Sequence, residues 1–283
     1  MKDFLDKLAK CCEENNYSIY RIAALNGETE ETEHIDLRRM NACMNSYSVA
    51  KAYTMTAIGM LVDDGRLSLD EKITDILAGE YTDVADERWH DVTVDMALSH
   101  RVGLPKGFLD IDAVDPLTFG EDYLAYTLQQ TLDFKPGTDS VYTDAAYYLL
   151  ARVVDKRANM SLDTFLWKRL FTPLAFREVA WSRCPLGHAM GATGQYVRTD
   201  DMVKLGALYL NEGKWKGQQI ISEEWVQTAL ERGYELHKTG YGDSYGKGGM
   251  FGQMLLVVPE KKRVVAWHGF GVKAVEMIKL AAL

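Results

Sequence analysis

Apolar residues recur with the spacing of an amphipathic helix near both ends of the chain, over residues 3–14 and 272–282. Next to these helices lie shorter stretches in which apolar positions alternate with polar ones or follow each other without interruption. These stretches predict strands at residues 17–25, 254–258 and 263–267. The last two flank the turn-forming sequence Pro259-Glu260-Lys261-Lys262, so we expect them to form a hairpin.

The interior of the chain has a different pattern, which predicts helices. Residues 48–63 are apolar on nearly every side, which is typical of a buried helix, and Gly65 is placed to end it. The pattern stays helical, with polar loops, over residues 66–180. The acidic run 28–33 follows a turn signal and is typical of a solvated loop.

Strands at both chain ends with helices between them indicate an α+β fold. We predict an antiparallel sheet built from both ends, flanked by helices, with an inserted all-helical subdomain. The sheet part is expected at about residues 1–65 and 181–283, and the helical subdomain at about 66–180. No repeat or linker separates independent domains, so the chain is expected to be one unit.

Composition and charge exclude several classes of protein. The 283 residues carry a formal net charge of −9 and no block of Lys or Arg, so we expect no nucleic-acid partner. The longest strongly apolar stretches, 55–62 and 254–258, fall short of the ~20 residues that cross a bilayer. The given sequence starts without a signal-peptide core, which predicts a cytoplasmic protein, or an exported one if a leader precedes these residues. No pattern indicates an oligomeric state.

Metal and nucleotide chemistry lack their usual sequence signals. The six histidines include no pair spaced i,i+4, and the four cysteines form neither a C-x-x-C motif nor a disulfide framework. No glycine-rich phosphate-binding loop occurs. We therefore expect neither a metal nor a cofactor, and we interpret His100 and His268 as structural residues.

Two serine motifs compete as the site of nucleophilic chemistry, and the first surrounds Ser244. Gly242-Asp243-Ser244-Tyr245-Gly246 matches the nucleophile elbow of α/β-hydrolases, which requires a strand before it and a helix after it. Here Lys247-Gly248-Gly249 follows, and paired glycines disfavour the start of a helix. An α/β-hydrolase that uses Ser244 is therefore the less favoured alternative.

The second motif is Ser48-Val49-Ala50-Lys51, at the start of the predicted buried helix. Residues i and i+3 lie on one face of a helix, so the Lys51 amine can reach the Ser48 hydroxyl. Burial of a lysine favours its neutral, basic form, which can activate a nucleophile. The alternative is a capping serine with a lysine that reaches solvent, and local pattern alone leaves both open.

Further segments, in the same order, resemble the serine β-lactamase and penicillin-binding protein superfamily, especially its class C-like and esterase branches. The segment Ser99-His100-Arg101-Val102-Gly103-Leu104 is similar to the S/T-H-x-x-G-L segment of that branch. Tyr142-Thr143-Asp144 is similar to its Tyr-x-Asn motif. The resemblance runs over about residues 45–268, and it implies a β-lactamase/transpeptidase-like fold.

The resemblance implies a serine hydrolase that works through an acyl-enzyme and needs no cofactor. Ser48 would attack a carbonyl, while Lys51 and Tyr142 exchange its proton with the leaving group. Backbone N–H groups of Ser48 and Met250 would form the oxyanion hole. The substrate would be a small ester or amide, or a β-lactam-like molecule.

The third motif of the superfamily has two candidates in this sequence. Lys238-Thr239-Gly240 spells its K-T-G form, whereas Lys247-Gly248-Gly249 is a relaxed form that leads directly into the predicted strand 254–258. We favour the second, because small residues allow close backbone approach there. Lys247 would then lie partly solvated at the cleft, with Gly248 and Gly249, and select substrates that carry a carboxylate.

Two departures from the superfamily pattern affect the expected activity. Asp144, which the resemblance implies as a substrate-binding residue, replaces the usual Asn, and a carboxylate near Lys51 would oppose a neutral amine. Gly248 lacks the hydroxyl that K-T-G enzymes direct at a substrate carboxylate. We therefore predict an esterase-like or D-peptidase-like hydrolase with at most weak β-lactamase activity. The alternative is a penicillin-binding or sensor domain that is acylated without turnover.

Overall fold

The computed structural model describes residues 1–282. Residue 283, where the predicted range 181–283 ends, lies outside the described residues. The strands are β1 Ile19–Asn26, β2 Thr32–Asp36, β3 Cys43–Asn45, β4 Val179–Trp181, β5 Gln195–Arg198, β6 Lys214–Trp215, β7 Gln218–Gln219, β8 His237–Lys238, β9 Tyr245–Gly248, β10 Met254–Val258 and β11 Arg263–Gly269. The helices are α1 Lys2–Glu14, α2 Ala50–Asp63, α3 Ile73–Ile76, α4 Val94–Leu98, α5 Tyr123–Leu128, α6 Asp144–Ala158, α7 Leu162–Leu166, α8 Thr199–Leu210, α9 Glu223–Arg232 and α10 Val275–Ala282.

Six strands form an antiparallel sheet in the order β2-β1-β11-β10-β9-β8. The first long strand of the chain pairs with the last one, since Ala23 in β1 lies opposite Ala266 in β11. The predicted hairpin forms as expected, with Val258 opposite Arg263 across the turn. An antiparallel sheet from both chain ends, flanked by helices, confirms the α+β prediction.

The alternation of side chains along the strands places different helices on the two faces of the sheet. On one face, α1 and α10 cover a core that includes Leu8, Ile22 and Leu256. On the other face lies α8, whose Gly206 approaches β11 so closely that a Cβ there would lie 2.5 Å from Val264. Each fully buried aliphatic side chain contributes about 1.5–3 kcal/mol to folding. Burial on both faces explains why β10 is apolar throughout.

Sequence pattern did not reveal β2. The residues of β2 are exposed or half-buried, so the strand has no apolar face to mark it. It forms because its backbone pairs with β1, where Ile22 lies opposite Ile35. The acidic run 28–33, expected as a loop, therefore contains a turn and then the start of this edge strand.

The chain divides into two compact units. The sheet unit comprises Met1–Ala52, Lys168–Ala180 and Gln195–Leu283, and the helical unit comprises Tyr53–Trp167 and Trp181–Gly194. The predicted boundaries, after residue 65 and near 180, differ from these ranges. Part of the difference arises within α2, because a helix that is buried on all sides shows no change of polarity where one unit ends. The rest lies at Lys168–Ala180, which belongs to the sheet unit, and at Trp181–Gly194, which belongs to the helical unit.

The helical unit is organised around α6. The Thr143 hydroxyl caps this helix by accepting a hydrogen bond from the Ala145 N–H at 3.2 Å, and the left-handed Asn159 ends it. Most residues of α6 are buried, including Tyr147 and Arg152. Because α6 is buried along most of its length, it fixes the position of Tyr142 and Thr143, which directly precede it.

Within the described residues, no helix is both long and apolar enough to cross a membrane.

His268 lies in β11 with its ring fully buried, and its Nε2 is 2.9 Å from the Val197 carbonyl oxygen. Burial lowers the pKa of His268 to about 4, and the nearby Arg21 charge acts in the same direction. Because the unfolded chain binds this proton near pH 6.5 and the folded protein does not, stability should fall as pH drops from 6.5 towards 4. We expect this group to contribute a loss of about 3 kcal/mol over that range.

Urea unfolding of the protein and of His268→Gln between pH 4 and 7 measures this contribution. The free energy of unfolding of the variant should depend less on pH over this range. Parallel pH profiles for the two proteins would contradict the expectation, since carboxylates elsewhere titrate equally in both.

Candidate active site

Ser48 lies in a short 3₁₀ turn, Tyr47–Val49, that leads directly into α2. Two hydrogen bonds from backbone N–H groups hold this turn in the sheet unit. Ser46 N–H donates to the Gln195 carbonyl at 2.7 Å, and Tyr47 N–H donates to the Asn45 side-chain Oδ1 at 2.8 Å. Tyr47 has a φ of +48°, an uncommon conformation for a non-glycine residue. Backbone strain of this kind is concentrated at functional sites.

The Lys51 amine donates a hydrogen bond to the Ser48 hydroxyl across 3.2 Å. Lys51 is fully buried, whereas Ser48 is half-exposed. The alternative of a lysine that reaches solvent is therefore wrong, and Ser48 lies inside the turn and not at a cap. A reachable hydroxyl next to a buried amine is the arrangement in which a base can activate a nucleophile.

The segment after β9 lies against the turn that carries Ser48. A Cβ at Gly249 would come within 2.7 Å of the Ser46 carbonyl oxygen and 2.6 Å of Gln253 Oε1, so only glycine fits there. Lys247 and Gly248 lie at the end of β9, where Lys247 pairs with Leu255 in β10, and Gly249 follows the strand directly. Met250 follows Gly249 directly, and its side chain is exposed.

Replacing Gly249 with alanine tests this close approach. Because the Ser46 carbonyl belongs to the backbone of the turn, it cannot move aside without displacing Ser48. We expect Gly249→Ala to lower the free energy of unfolding by about 1–3 kcal/mol. Gly248→Ala is the matched control for stability, because a Cβ there meets its nearest atoms at 3.7 and 3.9 Å, an ordinary contact. Equal stability of the two variants in urea unfolding would contradict the close approach.

The literal K-T-G sequence lies elsewhere. Lys238 is in the edge strand β8, where its amine is exposed and pairs with Asp243 at 2.5 Å. Lys247 lies in β9, between this edge strand and β10. The assignment of Lys247-Gly248-Gly249 as the third motif stays a prediction.

The sequence predicted that Lys247 is partly solvated, and this prediction is wrong. The residue is buried, with 5% of its surface exposed. Its amine forms an ion pair with Glu235, which is fully buried in the segment that follows α9. A buried ammonium requires a counter-charge, and Glu235 provides it. Sequence reasoning missed Glu235, since a single Glu twelve residues from a Lys carries no signal.

Gln253 is a second residue that sequence reasoning missed. Its side chain is buried and bridges two segments: Oε1 accepts from the Phe251 N–H at 3.2 Å, and Nε2 donates to the Gly269 carbonyl at 2.8 Å. The bridge fixes the turn that contains Met250. The sequence could have indicated it only as a polar residue at the start of an apolar strand.

Tyr142 and Asp144 belong to the helical unit, at the start of α6. The His100 ring lies 4.5 Å from the Tyr142 ring, and His100 Nδ1 accepts a hydrogen bond from the Thr143 N–H at 3.4 Å. His100 also accepts from the Val141 N–H through its carbonyl oxygen, at 2.8 Å. Two segments that the resemblance singled out are thus joined, and His100 positions Tyr142, whose ring is 38% exposed.

Asp144 also lies in an acidic cluster. Carboxylate oxygens of Asp110, Asp112 and Asp144 lie within 4.8 Å of one another, and the Asp112 carboxylate accepts a hydrogen bond from the Thr193 hydroxyl. Acidic clusters are common at protein surfaces without an ion. We assign no metal to this one.

Ser244 does not lie in a nucleophile elbow. Strand β9 follows it, where an elbow requires a helix, and Ser244 is fully buried. Its hydroxyl is 2.5 Å from the Tyr241 carbonyl oxygen and 2.5 Å from Thr239 Oγ1. The α/β-hydrolase alternative is therefore wrong for a structural reason: Ser244 closes a turn.

An antiparallel sheet with flanking helices and a helical unit is the architecture of the β-lactamase/transpeptidase-like fold. The chain belongs to the Beta-lactamase family, whose model matches residues 24–269.

Sequence relatives agree with this assignment. The chain is 36% identical over 144 residues to penicillin-binding protein 4 of Amycolatopsis lactamdurans, and the alignment covers 49% of this chain and 36% of that protein. It is 23% identical over 206 residues to 6-aminohexanoate-dimer hydrolase of Paenarthrobacter ureafaciens, with 66% of this chain and 50% of that protein covered. The chain thus spans half or less of the length of these two relatives.

The solved structures show the same fold. A penicillin-binding protein homologue from Caulobacter crescentus superimposes with a TM-score of 0.75 at 17% identity, over 99% of this chain and 97% of that one. Family membership and the names of the relatives point to hydrolase-type activity as the class of chemistry.

Proposed function

We propose that this protein is a serine hydrolase that forms an acyl-enzyme on Ser48 and acts on a small ester or amide. The observation that carries the proposal is the 3.2 Å hydrogen bond from the fully buried Lys51 amine to the half-exposed Ser48 hydroxyl. The names of the relatives support a substrate with an acyl bond, since one is called a dimer hydrolase and another a penicillin-binding protein.

In the proposed reaction, Ser48 Oγ attacks the substrate carbonyl and loses its proton to Lys51 and Tyr142, which act together in the proton transfer. The same two side chains then deliver the proton to the leaving alcohol or amine, which departs and leaves an ester on Ser48. Water releases the acid in the second half of the reaction. Backbone N–H groups of Ser48 and Met250 stabilise the oxyanion.

Support for the oxyanion role comes from the packing around Met250. Gly249 abuts the Ser46 carbonyl, and Gln253 fixes the turn, so the backbone after β9 is held beside the nucleophile's turn. Preorganised N–H donors are the most effective way to stabilise an oxyanion. Esterase-like or D-peptidase-like specificity fits the lack of a hydroxyl at Gly248 better than efficient β-lactamase activity.

The experiment has two readouts. A fluorophosphonate probe should label one peptide, the one that contains Ser48, as located by mass spectrometry. A panel of nitrophenyl esters, nitrocefin and a D-Ala-D-Ala peptide then measures turnover. Continuous hydrolysis supports the hydrolase, whereas a burst that ends after one equivalent would indicate a domain that is acylated and does not turn over.

A further inference from the structure

Three aromatic rings lie beside the candidate nucleophile in the sheet unit. Tyr47, the residue before Ser48, meets Phe251 edge-on with ring centroids 4.9 Å apart. Phe251 stacks on Phe270, with centroids 4.5 Å apart and ring planes inclined by 16°. We call Tyr47, Phe251 and Phe270 the aromatic face.

The aromatic face is not part of the protein core. Phe270 is 51% exposed and the neighbouring Met250 is 47% exposed, while Tyr47 and Phe251 are half-buried. Scattered exposed apolar side chains need no explanation, but a contiguous exposed apolar patch marks a binding site. Aromatic rings also bind flat or branched apolar groups through stacking and edge contacts.

The charges near Lys247-Gly248-Gly249 also favour an uncharged substrate. Lys247 is the cation that the motif offers to a substrate carboxylate, yet its amine pairs with Glu235 in a buried ion pair. The pair carries no net charge, so it attracts a carboxylate only weakly. Gly248 adds no hydroxyl that could bind a carboxylate.

We propose that the natural substrate is an uncharged ester or amide whose ring-bearing or branched apolar group packs on the aromatic face during acylation of Ser48. Carboxylate-bearing substrates are disfavoured, because the Lys247 ammonium is already occupied by Glu235. This inference rests on the proposed acyl-enzyme function and names the class of its substrate.

Matched methyl esters test the charge part. Methyl valerate and monomethyl glutarate differ only by a methyl group in place of a carboxylate. With the full chain, we expect kcat/KM for methyl valerate to exceed that for monomethyl glutarate at least tenfold. Equal values, or a preference for the glutarate, would overturn the inference.

Phenyl-bearing esters test the aromatic face. Either methyl 3-phenylpropanoate or benzyl propanoate should react at least tenfold faster than methyl propanoate. Phe270→Ala should remove most of that advantage, while Phe270→Leu should retain about half or more of it. Leu117→Ala, which truncates a side chain that is 87% exposed in the helical unit, is the control for loss of exposed apolar surface. A phenyl advantage that survives in Phe270→Ala would overturn the assignment.

Glu235→Gln tests why carboxylates are disfavoured, because it removes the carboxylate that pairs with the Lys247 ammonium. The ratio of glutarate to valerate reactivity should rise at least threefold, and an unchanged ratio would overturn the role of Glu235. Loss of one partner of a buried ion pair can unfold a protein. If the variant does not fold, the double change Glu235→Leu with Lys247→Met decides instead. It replaces a pair without net charge by an uncharged pair, so the ratio of glutarate to valerate reactivity should stay within about twofold. A larger fall in that ratio would show that Lys247 attracts carboxylates despite Glu235 and would overturn the inference.

The inference and the proposed function fail in different ways. If the fluorophosphonate probe does not label Ser48, the acyl-enzyme function is wrong. If Ser48 is labelled and esters turn over, but the carboxylate ester is preferred or the phenyl group has no effect, only the substrate class is wrong.

Discussion

Replacing Ser48 with alanine should abolish covalent labelling and reduce ester hydrolysis about 10³-fold or more. The expectation rests on the geometry of one turn, in which the Ser48 hydroxyl is half-exposed and accepts a hydrogen bond from the buried Lys51 amine. Without the oxygen no acyl-enzyme can form, so the loss should appear in kcat and in labelling together. The folded state should change little, because Ser48 does not cap a helix.

Ser244→Ala is the matched control, since it removes a hydroxyl from the competing serine motif. The Ser244 hydroxyl closes a turn through Thr239 and Tyr241, so this variant should lose some stability and keep its labelling. Urea unfolding separates the two effects. Labelling that persists in Ser48→Ala and disappears in Ser244→Ala would overturn the assignment of the nucleophile.

The parts of the fold that the sequence predicted are those with a strong apolar period. Strand β10 coincides with the predicted 254–258, and α1 and α10 lie within a few residues of the predicted helices. In each case burial of one or both faces leaves a pattern in the residues themselves. Strand β2 has no buried face, so only its pairing with β1 defines it.

The candidate site divides in the same way. Ser48 and Lys51 were accessible to sequence reasoning because their contact spans three residues of one helical turn. Glu235 and Gln253 were not, since their partners are brought together by the fold: Glu235 meets Lys247 from a segment that lies before the edge strand. Burial changed the interpretation of Lys247 most, because sequence pattern places a residue on a strand without indicating which charge lies opposite.

Lys51→Met and Tyr142→Phe should each slow acylation of Ser48 by about 10²–10⁴-fold, and the double variant should be only slightly slower than either. We propose that both residues serve one proton transfer, and loss of either member of such a unit removes most of its effect. Tyr142→Phe is a clean change, because the ring that packs on His100 at 4.5 Å stays and only the hydroxyl is lost. Met replaces the buried lysine with a side chain of similar length.

Tyr147→Phe is the control for the tyrosine change. It also removes the hydroxyl of a tyrosine whose ring lies near His100, with ring centroids 5.2 Å apart, but that hydroxyl donates to the Leu98 carbonyl at 3.1 Å. This variant should be less stable by about 1 kcal/mol and keep its acylation rate. The rates come from the burst phase of a nitrophenyl ester, measured for all four members of the Lys51 and Tyr142 cycle. If the two losses multiply in full in the double variant, Lys51 and Tyr142 serve separate steps and the shared proton transfer is wrong.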